Sequence, residues 1–210
     1  MLRRTRIHHN IQYKFLTKKH SVRKILIGIC CISYFAGLII GASNISHVTN
    51  GTGYFELFIE HYLSIHLNQS LLDIWQTDFL STLLLLAILL FSALSCVGTP
   101  ITIIIPGIRG MFTGLLTASL YLRGGRAGVL LNGLTFWVPN VCIATAVIAF
   151  SILSAESSMK IWKNISAQTT ALQKHDIQLL CWRFLIISVV VLVICFLQAI
   201  LIAIFGPLFH

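Results

Sequence analysis

Apolar residues in this chain come in long blocks separated by more polar connections. Five blocks are near the twenty residues that a helix needs to cross a bilayer: about 25–43, 79–97, 101–122, 127–152 and 184–205. The pattern predicts an all-α, polytopic transmembrane helix bundle of about five spans. It divides into a tail at 1–24, a transmembrane domain at 25–205 and a short end at 206–210, with no internal repeat. The connections 44–78 and 153–183 are the long ones. The first of them contains Tyr54–Leu67, where Glu56, Glu60 and Ser64 recur every four residues opposite Phe55, Phe58, Ile59, Tyr62 and Leu63. That stretch reads as an amphipathic helix lying on the membrane surface or against a partner. Trp75 suits the interface before the second span.

Charge fixes an expected orientation. Only 10% of residues are charged against 57% hydrophobic, well below the charged fraction of about 25% usual in soluble domains. Eight of the fifteen basic residues are Arg3, Arg4, Arg6, Lys14, Lys18, Lys19, Arg23 and Lys24. The loop 44–78 has no lysine or arginine but holds Glu56, Glu60, Asp73 and Asp78, whereas 153–183 has Lys160, Lys163, Lys174 and Arg183. The positive-inside rule therefore places the tail and the 153–183 loop in the cytoplasm, and the 44–78 loop and the C-terminus outside. Arg123 and Arg126 run against that trend. A basic stretch directly before an apolar helix reads as attraction to anionic membrane lipid. The net charge of +9 is concentrated there, so no nucleic-acid partner is expected. The first span is read as a retained helix rather than a cleaved signal peptide: its basic region is long, and Gly37 and Gly41 form a GxxxG suited to helix contact.

Chemistry enters with little to support it. Cys30, Cys31, Cys96, Cys142, Cys181 and Cys195 lie mostly in apolar runs with no CxxC, which reads as packing. Glu60, His61 and His66 lack HExxH spacing, so no metal site is expected. No Walker motif, GxSxG or nucleophile–base pair is present, so neither a catalytic site nor a cofactor is expected. The sequons at Asn44, Asn50 and Asn68 matter only in a eukaryotic secretory pathway.

One residue departs from the apolar pattern. Arg109 lies among Pro106, Gly107, Gly110 and Gly114, and its charge cannot be lost. In one reading it is deep in the bilayer and pairs within the bundle. Pro106 cannot donate to the Thr102 carbonyl, which is then free to accept a hydrogen bond. In the other, the third span starts near Pro106, residues 98–105 are re-entrant or interfacial, and Arg109 snorkels to the cytoplasmic surface. Gly107, Gly110, Gly114 and Ala118 form a small-residue ridge. Pro139 breaks the fourth span, where the Asn140 amide is expected to cap freed backbone groups. Two interrupted helices can also mark a transport site.

These residues carry a resemblance. Gly37-x-x-x-Gly41, then Gly98-x-Pro100, then Arg109-Gly110-x-x-x-Gly114, and Pro139-Asn140 in the fourth span resemble the stage II sporulation protein M family over roughly 25–205. The basic residue directly before GxxxG is the most specific part. The resemblance implies a non-enzymatic multi-pass protein of the cell membrane that acts as a scaffold. It would hold membrane-anchored peptidoglycan hydrolases resembling stage II sporulation proteins D and P during forespore engulfment or a related envelope process. The nine motif residues are then structural or partner-binding. A membrane subunit of a transporter or permease is the alternative.

Overall fold

A computed structural model describes residues 22–44, 71–166 and 174–205. The amphipathic stretch 54–67, Glu60, His61 and His66, the basic tail before residue 22 and the end at 206–210 lie outside them. The described residues form helices with no strand among them. These are α1 (Val22–Asn44), α2 (Leu71–Leu94), α3 (Gly98–Leu131), a π-helical segment (Asn132–Trp137), α4 (Val138–Ser166) and α5 (Lys174–Phe205).

Among the described residues five stretches are long and apolar enough to cross a membrane: Val22–Asn44, Trp75–Leu94, Gly98–Leu122, Thr135–Trp162 and Asp176–Ile204. The chain is a multi-pass membrane protein. Much of its outer surface is bare aliphatic and aromatic side chain, including Ile32, Phe35, Ile39, Leu80, Phe91, Trp182 and Val193. An apolar surface of that extent belongs in lipid rather than water.

Helices α2 and α4 form the centre, each touching the other as well as α3 and α5. One buried cluster joins Leu86 and Leu89 of α2, Ile105 of α3, Ile143, Val147 and Phe150 of α4, and Val191 and Cys195 of α5. A second joins Leu115, Leu116 and Leu120 of α3 to Phe136, Ala199 and Ile202. Helix α1 lies on the outside of α3 and runs parallel to it: Ser33 meets Ile103, and Leu38 meets Gly114. Lipid tails are as apolar as leucine, so helices in a bilayer are held by close packing and hydrogen bonds rather than by a hydrophobic drive.

The tight α2–α3 turn is built by sequence. The Gly98 amide donates to the Ser95 carbonyl at 3.3 Å, and a Cβ at Gly98 would fall on the Ser92 carbonyl oxygen. Pro100 stands in the first turn of α3, where a missing N–H costs little.

The fourth span differs from expectation. It starts at Thr135 rather than near 127, and α4 continues to Ser166, through residues read as loop. The reversal before it sits at Gly125 (φ 51°, ψ −131°), the glycine-favoured first position of a II′-type turn. Residues 127–131 are apolar but follow that reversal. Farther on, Ser151, Ser154 and Ser158 are fully buried along one face of α4, so their polarity reports close packing rather than a loop. Pro139 offers no N–H to the Thr135 carbonyl, and its ring crowds that turn. The winding widens into the π segment just before it.

One end of the bundle gathers charge. Arg23 pairs with Glu156 at 3.6 Å and Lys160 with Asp176 at 3.8 Å, all partly solvent-exposed. Lys24 and Arg183 lie near the same end. The start of α1, the end of α4 and the start of α5 therefore share one side. The described N- and C-terminal ends lie on opposite sides after five passes.

Candidate functional site

The motif residues converge on α3. Gly37 and Gly41 face α3, and Gly107, Gly110 and Gly114 face α1. A Cβ at Gly37 would land on the Gly107 carbonyl oxygen, and one at Gly41 on that of Met111. In return, a Cβ at Gly110 would land on the Tyr34 carbonyl oxygen and one at Gly114 on that of Leu38. Backbone therefore meets backbone along three helical turns. The two ridges read from the sequence are each other's partners within one chain, and at these five positions no face is left for another helix.

The crossing also carries a hydrogen bond beside Pro106. Ser33 Oγ donates to the Ile103 carbonyl at 2.7 Å. A hydroxyl from the neighbouring helix thus meets a carbonyl beside the proline, as backbone at membrane depth requires.

Arg109 sits mid-span. Helix α3 runs through Pro106 without a break, its one non-helical residue being Gly125. Arg109 is therefore about 17 Å along the helix from Gly98 at 1.5 Å per residue. The re-entrant reading of 98–105 does not hold. Its hydrogen-bond partner is also not the expected Thr102 carbonyl. Arg109 Nη2 donates to Asn140 Oδ1 at 3.0 Å. Asn140, expected to cap backbone freed by Pro139, instead turns its amide oxygen to the guanidinium. It is 7% exposed, and a hydrogen bond to a charged group in such a place is worth roughly 1.5–3 kcal/mol. Arg109 Nε is buried with no acceptor.

Two residues that sequence reasoning missed lie nearby. Asp78 was assigned to the outer loop, but it is inside the second span and 6% exposed. Gln198 of α5, 2% exposed, donates from Nε2 to Asp78 Oδ2 at 3.0 Å. Trp75, half-buried, turns its indole N–H to the Leu192 carbonyl at 3.4 Å and packs on Phe79 and Phe196. It is thus part of the α2–α5 contact rather than purely an interface anchor. The available signal was the spacing Trp75-x-x-Asp78-Phe79, which puts the carboxylate on the same face as two inward-turned rings.

Two buried polar contacts thus tie α3 to α4 and α2 to α5. Among the described residues no group of histidine, cysteine and acidic side chains could hold a metal ion. No protein-family model, curated protein or solved structure matches the chain. The likeness to the stage II sporulation protein M family therefore rests on the motif residues themselves.

Proposed function

We propose that this protein is a non-enzymatic scaffold of the cytoplasmic membrane, resembling stage II sporulation protein M, that positions membrane-anchored peptidoglycan-remodelling enzymes. One observation carries the reading. Most of the motif residues that support the resemblance come together at the α1–α3 crossing and where Arg109 meets Asn140, while Gly98 and Pro100 form the α2–α3 turn. A rigid, closely packed bundle is what a scaffold requires. The tail and the end bearing Arg23, Lys24, Lys160 and Arg183 face the cytoplasm in this reading. The partner surface then lies away from the glycine ridges, on the lipid-facing sides of the bundle or in the 44–78 segment.

Affinity capture of the tagged full chain from membranes of its native host, in mild detergent, tests this. The expected result is co-purification of a membrane-anchored peptidoglycan hydrolase. Capture that recovers no hydrolase while retaining other membrane partners overturns it. Orientation is tested separately in a background without the native cysteines. Leu72→Cys is expected to react with an impermeant thiol reagent from outside and Lys24→Cys only after permeabilisation; the reverse pattern inverts the assignment.

The alternative, a subunit of a transporter or permease, is favoured by the buried polar groups around Arg109 and Asp78. It predicts that Arg109→Gln abolishes movement of a solute while the bundle still assembles.

A further inference from the structure

Charge at the α1-start end is not balanced. Four cations with exposed side chains stand there, Arg23 and Lys24 of α1, Lys160 of α4 and Arg183 of α5, against the carboxylates of Glu156 and Asp176. Two ion pairs tie the helix ends together, Arg23 to Glu156 and Lys160 to Asp176. Lys24 and Arg183 meet no carboxylate among the described residues. At these six residues the surplus is two positive charges, four cations less two anions.

The ion pairs set the levels of these groups. Lys160 and Asp176 stand level, because they pair across α4 and α5. Glu156 and its partner Arg23 lie one turn of α4 nearer the middle of the bundle, about 6 Å at 1.5 Å per residue. Arg183 follows Asp176 along α5 and lies about 10 Å inward of it. The cations therefore spread over a layer about as deep as the headgroup region of one leaflet, which is roughly 5–7 Å thick, once long side chains reach toward the surface.

The apolar neighbours fit the same layer. Trp162 and Trp182, at 59% and 64% exposed, flank it as tryptophans do at a membrane interface. Directly inward of them, Trp182, Ile186 and Val189 lie three or four residues apart on an exposed stripe of α5. Basic groups thus stand above an apolar wall, the order in which a phospholipid presents its phosphate and its acyl chain. Unpaired Arg183, inside the fifth span, calls for an anion, and the lipid phosphate is the anion that a membrane supplies at that level.

We propose that this rim is a binding site for an anionic phospholipid. Arg183 takes the phosphate, the Trp182–Ile186–Val189 stripe takes an acyl chain, and Lys24 on the other flank of α4 adds to the attraction. A zwitterionic lipid also has a phosphate but no net charge, so the two surplus cations favour a headgroup with net negative charge. Such a site holds for a scaffold and for a transporter subunit alike, and in either leaflet.

The test counts lipids retained by the full-length protein. The chain is purified in neutral detergent, titrated with phosphatidylglycerol or phosphatidylcholine, and examined by native mass spectrometry. Phosphatidylglycerol is expected to be retained more than about tenfold more strongly, since each surface cation contributes about fivefold. Lys24→Gln with Arg183→Gln, both at exposed positions, is expected to bring that preference below about threefold. Arg3→Gln with Arg4→Gln and Arg6→Gln, in the basic tail, is expected to leave it in place. Equal retention of the two lipids by the unaltered chain overturns the proposal. So does a preference that survives the Lys24 and Arg183 changes and disappears with those in the tail. Displacement of phosphatidylglycerol by millimolar inorganic phosphate would assign the site to a soluble anion and overturn the lipid.

Discussion

Helix α3 meets α1 and α4 by opposite means. Against α1 it presents glycines, which meet the backbone of Tyr34, Gly37 and Leu38 and the small side chain of Ser33. Against α4 it extends a long charged side chain, Arg109, to an amide oxygen 3.0 Å away. Both answer the same difficulty: in lipid, burying leucine against leucine gains little over leaving it among acyl chains. The glycine seam gains dispersion contact by removing atoms and is intolerant of an added one at Gly37, Gly41, Gly110 and Gly114, where backbone stands in the way. The arginine contact gains electrostatic energy by adding a polar group and is intolerant of losing its partner. Position and register along α3 are thus fixed twice, by shape on one side and by charge on the other.

Adding atoms to the seam should have the largest effect. Gly110→Leu puts its Cβ into the Tyr34 carbonyl oxygen, a backbone atom that cannot turn aside. The loss should exceed the roughly 1–3 kcal/mol of ordinary overpacking, and little folded protein should survive detergent extraction. Gly28→Leu, in α1 with nothing within 4 Å of its Cβ, should leave recovery unchanged. Equal loss from both would mean that α1 does not cross α3 here.

Removing the acceptor on the other side comes next. Asn140→Leu strands Arg109 and should cost about 2–3 kcal/mol in SDS unfolding, while leaving the α1 seam formed. Gly125→Ala should cost about 1 kcal/mol or somewhat more, since alanine is strained at φ 51°. Gly133→Ala, also in open space but without a positive φ, should change stability by no more than a few tenths, in either direction. The smallest effect belongs to the exposed end. Arg23→Gln removes a 3.6 Å ion pair with an arginine side chain 56% exposed, worth under about 1 kcal/mol and lost in high salt.

The seam was largely legible in the sequence, and the buried polar contacts were not. Glycines every three or four residues in two apolar runs announce close helix contact, because glycine is a poor helix former with no other use there. The five passes and the shared side of the N-terminal region and the α4–α5 connection also follow from periodic blocks and counted lysines. What the pattern could not show is which polar residue turns inward. Asp78 stands at a hydropathy boundary, where loop and buried span end look alike until Gln198 is brought 120 positions along the chain to meet it. Ser154 and Ser158 read as loop for the same reason: small hydroxyls serve both exposed turns and tight interiors. The start of the fourth span was hidden because residues 127–131 are as apolar as a span, and only the backbone at Gly125 reveals the reversal.

The account stands on α1 closing the glycine ridge of α3 within one chain. A cysteine pair tests this most directly, because Ser33 Oγ lies 2.8 Å from a Cβ placed at Gly107, within reach of a disulfide. Ser33→Cys with Gly107→Cys, in a background lacking the six native cysteines, should cross-link on mild oxidation in native membranes. Proteolysis between the helices should then leave the two fragments joined at monomer mass. Cross-linked dimers with separable fragments, or no cross-link at all in folded protein, would contradict it.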